Sequence, residues 1–377
     1  MKANGINANG ADAVTLIDRL VRRISDVPYD GNIALNRTEW DWPAGVGLYG
    51  VYRAWKHTGN RYYADFARAW VDEHLPQAEL RRTINGIAPL LTVCELYLEA
   101  EDERYGEACR AGCDWLLQEA PRTREGAFEH TVNEQGPGFR EQIWADTLFM
   151  SCILLAKMGA RDRNPAYKRE AGFQLITHLK TLRDGRNGLY RHAWNCERRD
   201  WMSGALWGRA NAWILVSAVE MLEMLPAVFE GREQAIEWVV ALSEALGRAQ
   251  RDDGMFGTLL DDPEAYGEAS ATAGIAYGLR RGIRSGFVPE ALLPCAEKAE
   301  AAVRSLVNAR GELEQVSHGT DVKPDLEAYK RVPIVPAFWG QGLALLMLCE
   351  SLRDHDPGIS MILGQGQEEP GRLRGRP

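Results

Sequence analysis

The sequence contains no long apolar run, no excess of positive charge and no framework of paired cysteines. A bilayer span needs about 20 consecutive apolar residues, and no segment comes close to that length. Residues 1–12 are polar and rich in Gly and Asn, so this stretch does not resemble a secretory signal. The net charge of −9 argues against nucleic acid or an anionic membrane as a partner.

Cysteine usage indicates a reducing compartment. The seven cysteines are odd in number and scattered, and most lie in apolar helical segments, where a free thiol behaves as a small core residue. Cys109 and Cys113 are one helical turn apart, but no nearby His or Cys completes a metal-binding set. We therefore expect a cytoplasmic protein.

Motifs of the common enzyme classes are also missing. There is no G-x-G-x-x-G after a strand, no phosphate-binding loop, no H-E-x-x-H and no nucleophile elbow. What remains is acid–base chemistry by carboxylates, in a cleft whose aromatic lining suits sugars.

Helical periodicity, by contrast, runs along almost the whole chain. Apolar residues recur at helical spacing in about twelve segments, and no convincing run alternates as a strand does. The predicted helices are 12–25, 43–58, 61–74, 87–99, 103–119, 146–158, 165–182, 208–224, 232–250, 268–281, 289–306 and 338–352. They predict one all-α domain over residues 1–360. The Gly-, Gln- and Arg-rich tail, residues 361–377, is expected to be disordered.

A repeat underlies these helices. Four of them end in a Gly-centred turn followed by an apolar or aromatic residue, at a spacing of roughly sixty residues. These turns are 124–130, 186–192, 253–258 and 310–315. Because one helix pair cannot bury its apolar face alone, such repeats form solenoids or closed toroids. Six pairs predict an (α/α)6 barrel in which the loops before the inner helices gather at one end.

The segment Gln142–Met150 is the centre of this arrangement. Asp146 follows Trp144 and opens a helix, 146–158, that is apolar on most sides and therefore buried. At the N-terminus of that helix the carboxylate would face whatever lies above the core. The alternative is that Asp146 only caps the helix.

The equivalent loops of other repeats carry further candidate residues. They are Trp40, Trp42, Asn85, His130, His192, Trp207 and Arg209. The two histidines occupy matching positions in successive repeats, which favours a place in a site over the solvent-facing position usual for a single loop histidine. Asn85 precedes Gly86, so a role in binding a hydroxyl competes with that of an ordinary turn residue.

Arg209 and Trp213 are four residues apart and share one helical face. An arginine beside tryptophans binds a carboxylate while the rings stack on a sugar. The alternative is a cation–π pair that only packs. Asp41, between two tryptophans, is interpreted more simply as the cap of the helix that begins at Pro43.

As an ordered set, these motifs resemble glycoside hydrolase family 105, the unsaturated rhamnogalacturonyl hydrolases, which are related to the family 88 unsaturated glucuronyl hydrolases. The matching pieces, in family order over about residues 12–352, are Trp40–Gly50, Asn85 with Ala88–Leu91, Gln142–Met150, Gly188–His192 and Trp207–Trp213. The resemblance implies an (α/α)6 barrel, no metal or other cofactor, and a small oligosaccharide as substrate.

The resemblance also implies an unusual reaction. The substrate carries a C4=C5 double bond in the uronic acid at its non-reducing end, left by a polysaccharide lyase. A carboxylic acid protonates C4, water adds at C5, and the hemiketal opens to release the neighbouring sugar. One carboxyl group can donate the proton and then activate water, so the two-carboxylate geometry of most glycosidases is not required.

By position, the resemblance makes Asp146 the general acid and base. Arg209, His130 and His192 would contact the substrate carboxylate and hydroxyls, and the tryptophans would wall the pocket. To hold a proton near neutral pH, Asp146 should have a raised pKa, caused by burial against aromatic walls. One departure is Asn85, because relatives often carry a second aspartate there, and an asparagine cannot titrate.

The leading hypothesis is therefore hydrolysis of an unsaturated galacturonyl–rhamnose disaccharide or short oligosaccharide. The nearest alternative is the same chemistry on an unsaturated glucuronyl substrate, since the second sugar contacts variable loops. A different enzyme class on this fold is a sugar 2-epimerase, which would use paired histidines such as His130 and His192. A third hypothesis is a sugar-binding protein without catalytic activity. The sequence leaves the oligomeric state open.

Overall fold

The computed structural model describes residues 8–26, 33–35, 37–132 and 139–355. Within these ranges the regular secondary structure is helical apart from two three-residue strands. The α-helices are α1 Ala8–Ser25, α2 Trp42–Thr58, α3 Arg61–His74, α4 Ile84–Ile87, α5 Leu90–Ala100, α6 Glu103–Gln118, α7 Ile153–Arg161, α8 Pro165–Leu182, α9 Gly208–Met224, α10 Arg232–Ala249, α11 Ala269–Arg284, α12 Leu293–Ser305, α13 Leu326–Lys330 and α14 Phe338–His355; the strands are β1 Gln142–Trp144 and β2 Ala193–Asn195. The predicted tail, 361–377, lies outside the described residues.

Six helices form an inner ring. Each of α2, α5, α7, α9, α11 and α14 packs on the next, and α14 returns to α2. Each inner helix also packs mainly on the outer helix that is its neighbour in sequence or, for α14, on the first helix; these outer helices are α3, α6, α8, α10, α12 and α1 in the same order. Helix α9 is buried on every side from Gly208 to Leu222, whereas the outer α10 buries one face. The chain is an (α/α)6 barrel, which confirms the predicted fold.

The Gly-centred turns are present in all four predicted places. Gly126, Gly188, Gly254 and Gly311 have φ of 79°, 84°, 87° and 76°, in the left-handed region that favours glycine. Antiparallel bridges such as Arg122↔Phe128 and Val307↔Leu313 close the chain around the turns. The repeat found in the sequence is therefore a structural repeat.

Glycines also let the ring close. A Cβ atom on Gly342 of α14 would lie 2.3 Å from the carbonyl oxygen of Val46 in α2. A Cβ atom on Gly50 would lie 2.7 Å from the carbonyl oxygen of Gly342. The first and last inner helices thus touch backbone to backbone, and a side chain at either position would push them apart.

The differences from the predicted elements are small. The helix predicted at 87–99 corresponds to α5, which begins only at Leu90, and the one-turn helix α4 precedes it; Pro89 lies between them and has no N–H to continue the ladder. Strands were not predicted, but β1 and β2 pair in antiparallel register, with Trp144 opposite Ala193. Strands of three residues are too short to show an alternating pattern. In the described part of the chain, no helix combines the length and hydrophobicity that crossing a membrane requires.

Candidate active site

A cavity of about 390 Å³ opens at the end of the barrel where the inner helices begin. Its walls come from the starts of α2, α9 and α14, the turn before α7, and the loops around residues 130 and 320. The lining residues are Ala34, Glu39, Asp41, Trp42, Pro43, Asn85, His130, Val132, Trp144, Asp146, Met150, Trp207, Arg209, His318, Gly319, Thr320, Asp321 and Trp339. This volume and aromatic content suit a sugar.

Most of the residues singled out in the sequence meet at this cavity. Those that line it are Trp42, Asn85, His130, Trp144, Asp146, Trp207 and Arg209. Two tryptophans do not. Trp40 is buried behind the wall, where its ring stacks on Trp70 and its Nε1 donates to the Gly86 carbonyl at 2.8 Å. Trp213 is buried in the core with its ring 4.7 Å from that of Phe149. The prediction that Trp40 and Trp213 contact the substrate is therefore wrong, because both rings pack behind the cavity wall.

The β1–β2 pair brings Asp146 and His192 together. Asp146 lies two residues after β1, and His192 lies immediately before β2, whose first residue pairs with Trp144. His192 Nε2 is 3.5 Å from Asp146 Oδ2, and neither atom has another hydrogen-bond partner in the described part of the chain. That distance is long for a hydrogen bond, as is common at catalytic pairs before substrate binds.

Asp146 is not a helix cap. Its carboxylate makes no capping hydrogen bond within the described residues, and the helix behind it starts with a π-helical turn, Leu148–Cys152, in which the Ile153 N–H reaches back to the Leu148 carbonyl. Such turns occur often at functional sites because they change the direction of the side chains beside them.

The expected rise in the pKa of Asp146 is wrong. Burial, the largest single cause, raises that pKa, but the contact with His192 and the electrostatic influence of His192, His130 and Arg209 together outweigh burial and lower the pKa below its usual value. Without a further anion beside it, the carboxyl group is therefore ionised at neutral pH.

His192 lies behind the cavity wall rather than on it. Its ring is buried, 4.2 Å from the ring of Trp207 and 5.2 Å from that of Trp144. Its Nδ1 is 2.7 Å from the Tyr329 hydroxyl, which is also 3.1 Å from Ser203 Oγ. Tyr329 fixes the ring so that Nε2 faces Asp146, and this tyrosine was not anticipated from the sequence.

His130 stacks flat on Trp144, with ring centroids 4.6 Å apart, and its Nδ1 is 3.0 Å from Thr147 Oγ1. Burial, the largest cause, lowers its pKa to about 4, so the ring is neutral at physiological pH.

A 2-epimerase would need two histidines on opposite sides of its sugar. Because His192 does not line the cavity, this arrangement does not favour that alternative.

Both terminal nitrogens of Arg209 donate to protein acceptors. Nη1 donates to the carbonyl and hydroxyl of Ser317 at 2.9 and 2.6 Å and lies 3.3 Å from Ser270 Oγ. Nη2 donates to the His318 carbonyl at 2.9 Å and to Thr320 Oγ1 at 3.2 Å. The guanidinium therefore holds the loop of residues 317–320 in place, and Arg209 also forms part of the cavity wall.

Asn85 belongs to the one-turn helix α4, whose N-cap is Thr83. Its side chain lines the cavity and makes no hydrogen bond within the described part of the chain. The amide is thus available to bind a sugar hydroxyl rather than being used up in a turn.

Asp41 is the helix cap that the sequence indicated, since Oδ1 accepts the Trp42 N–H at 2.8 Å. It also lines the cavity, and burial raises its pKa to about 6. Trp339, also on the wall, was missed although Trp339-Gly340 in α14 repeats the Trp207-Gly208 start of α9. That repeated pair is the signal that could have found it.

Known proteins that resemble this chain give a consistent result. The family model of Glycosyl Hydrolase Family 88 matches residues 16–355. The unsaturated rhamnogalacturonyl hydrolase YesR of Bacillus subtilis is 35% identical over 343 residues, covering 90% of this chain and 94% of that protein.

Two solved structures, each described as a possible member of the GH105 family, superpose closely. The one from Klebsiella pneumoniae has 32% identity and a TM-score of 0.87, covering 94% of this chain and 96% of its own. The one from Salmonella enterica has 30% identity and the same TM-score of 0.87, covering 94% and 97%. The resemblance seen in the ordered motifs is thereby confirmed.

Proposed function

Because the chain belongs to Glycosyl Hydrolase Family 88, we propose that it hydrolyses the 4,5-unsaturated uronic acid from the non-reducing end of lyase-generated oligosaccharides. The preferred substrate is an unsaturated galacturonyl–rhamnose unit, as the name of the 35%-identical rhamnogalacturonyl hydrolase suggests. The observation that carries the proposal is Asp146, a carboxylate on the cavity wall whose Oδ2 faces His192 Nε2 at 3.5 Å.

Asp146 is the proposed general acid and base. Its proton goes to C4 of the C4=C5 bond, and the electron pair of that bond forms the new C–H bond. Positive charge develops at C5 and is shared by the ring oxygen. The Asp146 carboxylate then takes a proton from water as the water oxygen bonds to C5. The resulting hemiketal opens and releases the neighbouring sugar, so the protein carboxyl ends in its starting state.

Because its low pKa leaves Asp146 ionised before substrate binds, the carboxyl group must acquire the proton that it donates to C4 once substrate is bound. Binding the substrate brings a second carboxylate into a cavity whose wall includes the cation Arg209. A like charge nearby disfavours the ionised form of Asp146 and raises its pKa in the complex. With its pKa raised in this way, Asp146 can take up its proton from solvent, and His192, held by the Tyr329 hydroxyl at 2.7 Å, orients the carboxylate.

The remaining wall residues orient the sugar. The rings of Trp144 and Trp207, with Trp42 against Trp339 at 4.6 Å, offer flat apolar surfaces for the sugar faces. The Asn85 amide and the neutral His130 supply hydrogen bonds to hydroxyl groups. The proposed setting is the cytoplasm, where all seven cysteines would stay reduced as free thiols.

The test follows the ultraviolet absorbance of the conjugated C4=C5 uronate. The wild-type protein should remove this absorbance from unsaturated galacturonyl–rhamnose, and faster than from an unsaturated glucuronyl disaccharide. Asp146→Asn keeps the shape of the side chain but cannot titrate, so kcat should fall by about 10²–10⁴-fold while substrate still binds. Asp114→Asn, which alters a carboxylate bonded to the Tyr167 hydroxyl on the outer helices, is the matched control and should be unaffected.

If the Asp146→Asn variant turned the substrate over as fast as wild type, Asp146 could not be the general acid. Binding of both disaccharides with no loss of absorbance would favour a sugar-binding protein instead. A higher kcat/KM for the glucuronyl disaccharide would keep the chemistry and replace the preferred substrate.

A further inference from the structure

The cavity that is proposed to receive an anionic sugar is itself rich in carboxylates. Among the described residues that line it, Glu39, Asp41, Asp146 and Asp321 are acidic, and Arg209 is the one arginine. The Arg209 guanidinium is already shared among the acceptors of Ser270 and the 317–320 loop. A uronate entering with all four carboxylates ionised would face strong repulsion, because charges in a partly buried site are weakly screened.

Three of these four groups can stay charged at little cost. Glu39 and Asp321 are exposed, and water screens them. Asp146 has His192 as a partner at 3.5 Å. Asp41 differs from all three, since it is partly buried, and its Oδ2 makes no hydrogen bond within the described part of the chain.

We propose that Asp41 is a second titrating carboxyl group of the site and that the protonated form of Asp41 binds the uronate substrate. This role rests on the proposed function. A protonated Asp41 keeps Oδ1 as acceptor for the Trp42 N–H and offers an O–H donor in a cavity that Asn85 also lines. The role makes Asp41 a binding residue, distinct from the proton donor Asp146.

The electrostatic surroundings support this assignment. Burial is the largest cause that raises the pKa of Asp41, and the neighbouring Glu39 raises it further, whereas the Trp42 N–H and Arg81 oppose the rise; the result is about 6. The other charged or titratable groups facing the same cavity are His130, Asp146, Arg209, His318 and Asp321. Adding the substrate carboxylate raises the pKa of Asp41 again, so binding should take up a proton near neutral pH.

Asparagine gives a sharp test because it caps helices as well as aspartate does and is permanently neutral. We compare kcat/KM of wild type and Asp41→Asn on unsaturated galacturonyl–rhamnose from pH 5 to 8. The ratio of variant to wild type should be constant below pH 5.5 and should rise by about tenfold for each unit above pH 6, as one deprotonation requires. Asp102→Asn, the same change at the cap of α6, should give a constant ratio.

Calorimetry supplies a readout that does not need turnover. Binding of the same disaccharide is measured at pH 6.5 in two buffers of different ionisation enthalpy, with Asp146→Asn as the background. The background variant should take up a proton on binding, and adding Asp41→Asn should abolish the uptake.

The outcomes separate the two proposals. Wild-type turnover with a constant ratio and unchanged proton uptake would overturn the role of Asp41 and leave the function intact. Loss of kcat in Asp41→Asn at every pH would also overturn it, since a neutral isostere would then be insufficient. No turnover and no binding would overturn the proposed function and the role of Asp41 with it.

Discussion

Replacing Arg209 by lysine tests whether this arginine serves the pocket by holding its wall. The guanidinium makes contacts at 2.6–3.3 Å through both terminal nitrogens, to two carbonyl and three hydroxyl oxygens. A lysine keeps the charge near Glu268, which is 3.6 Å away, but its single nitrogen has three donors and cannot span both sides of the fork.

At least two charge-assisted hydrogen bonds are lost in this variant. At about 1.5 kcal/mol each, the free energy of unfolding should fall by about 3 kcal/mol. The loss should be present without substrate, because the broken contacts are within the protein. The loop of residues 317–320 carries His318 and Thr320 of the cavity wall, so KM should rise as well.

The assay is urea unfolding followed by tryptophan fluorescence, combined with KM for the unsaturated disaccharide. Arg284→Lys is the matched control: its guanidinium contacts Glu350 at the far end of α11, and its replacement should leave KM unchanged. Unchanged stability with a raised KM would refute the reasoning and restore the direct contact between Arg209 and the substrate carboxylate that the sequence suggested.

Two further predictions concern positions behind the cavity. Tyr329→Phe removes the hydroxyl that lies 2.7 Å from His192 Nδ1. In a steady-state assay this variant should lower kcat by about tenfold, the equivalent of one such hydrogen bond, with little change in KM. The control is Tyr190→Phe, which removes a buried hydroxyl that has no partner in the described chain and should match wild type. Equal kcat values for the two variants would deny His192 a role in orienting Asp146. Gly342→Ala places a Cβ atom 2.3 Å from the Val46 carbonyl oxygen and should reduce the free energy of unfolding, measured by urea titration, by about 1–3 kcal/mol. Gly185→Ala, which has open space around it, should leave that free energy unchanged. Equal stability of the two variants would mean that the contact between α2 and α14 has space for a side chain.

The fold was predictable from the sequence because its causes are local and repeated. Apolar residues at helical spacing define the helices, and the left-handed glycines at positions 126, 188, 254 and 311 mark where the repeats turn. Equivalent places in successive repeats then identified which loops meet at the cavity. Asp146, Trp144 and Trp207 were found in this way.

The repeat gives the loop but not the direction of each side chain. Trp40 and Trp213 belong to the correct segments, yet they pack on Trp70 and Phe149 in the core. The pKa of Asp146 escaped prediction for a related reason. Burial is visible in the sequence as neighbouring aromatics, but the opposing charges come from residues distant in sequence, which the barrel brings close.

The same limit explains the roles of Arg209 and Tyr329. Nothing in the sequence near Arg209 indicates that the loop 317–320 will supply its acceptors. Tyr329 lies 137 positions from His192 along the chain. Contacts of this kind depend on closure of the ring between α2 and α14, which follows from backbone contacts at glycines.

The π-helical turn at Leu148–Cys152 has a consequence for how chains of this kind can change in length. An α-helix advances by about 100° per residue, so the extra residue in the turn shifts the angular phase of everything before it relative to α7. Removing one residue there would restore a regular helix and swing Asp146 around the axis by about that angle, away from His192. The orientation of Asp146 thus depends on the number of residues in this turn, and an insertion or deletion there would misdirect the carboxylate even if every remaining side chain stayed apolar.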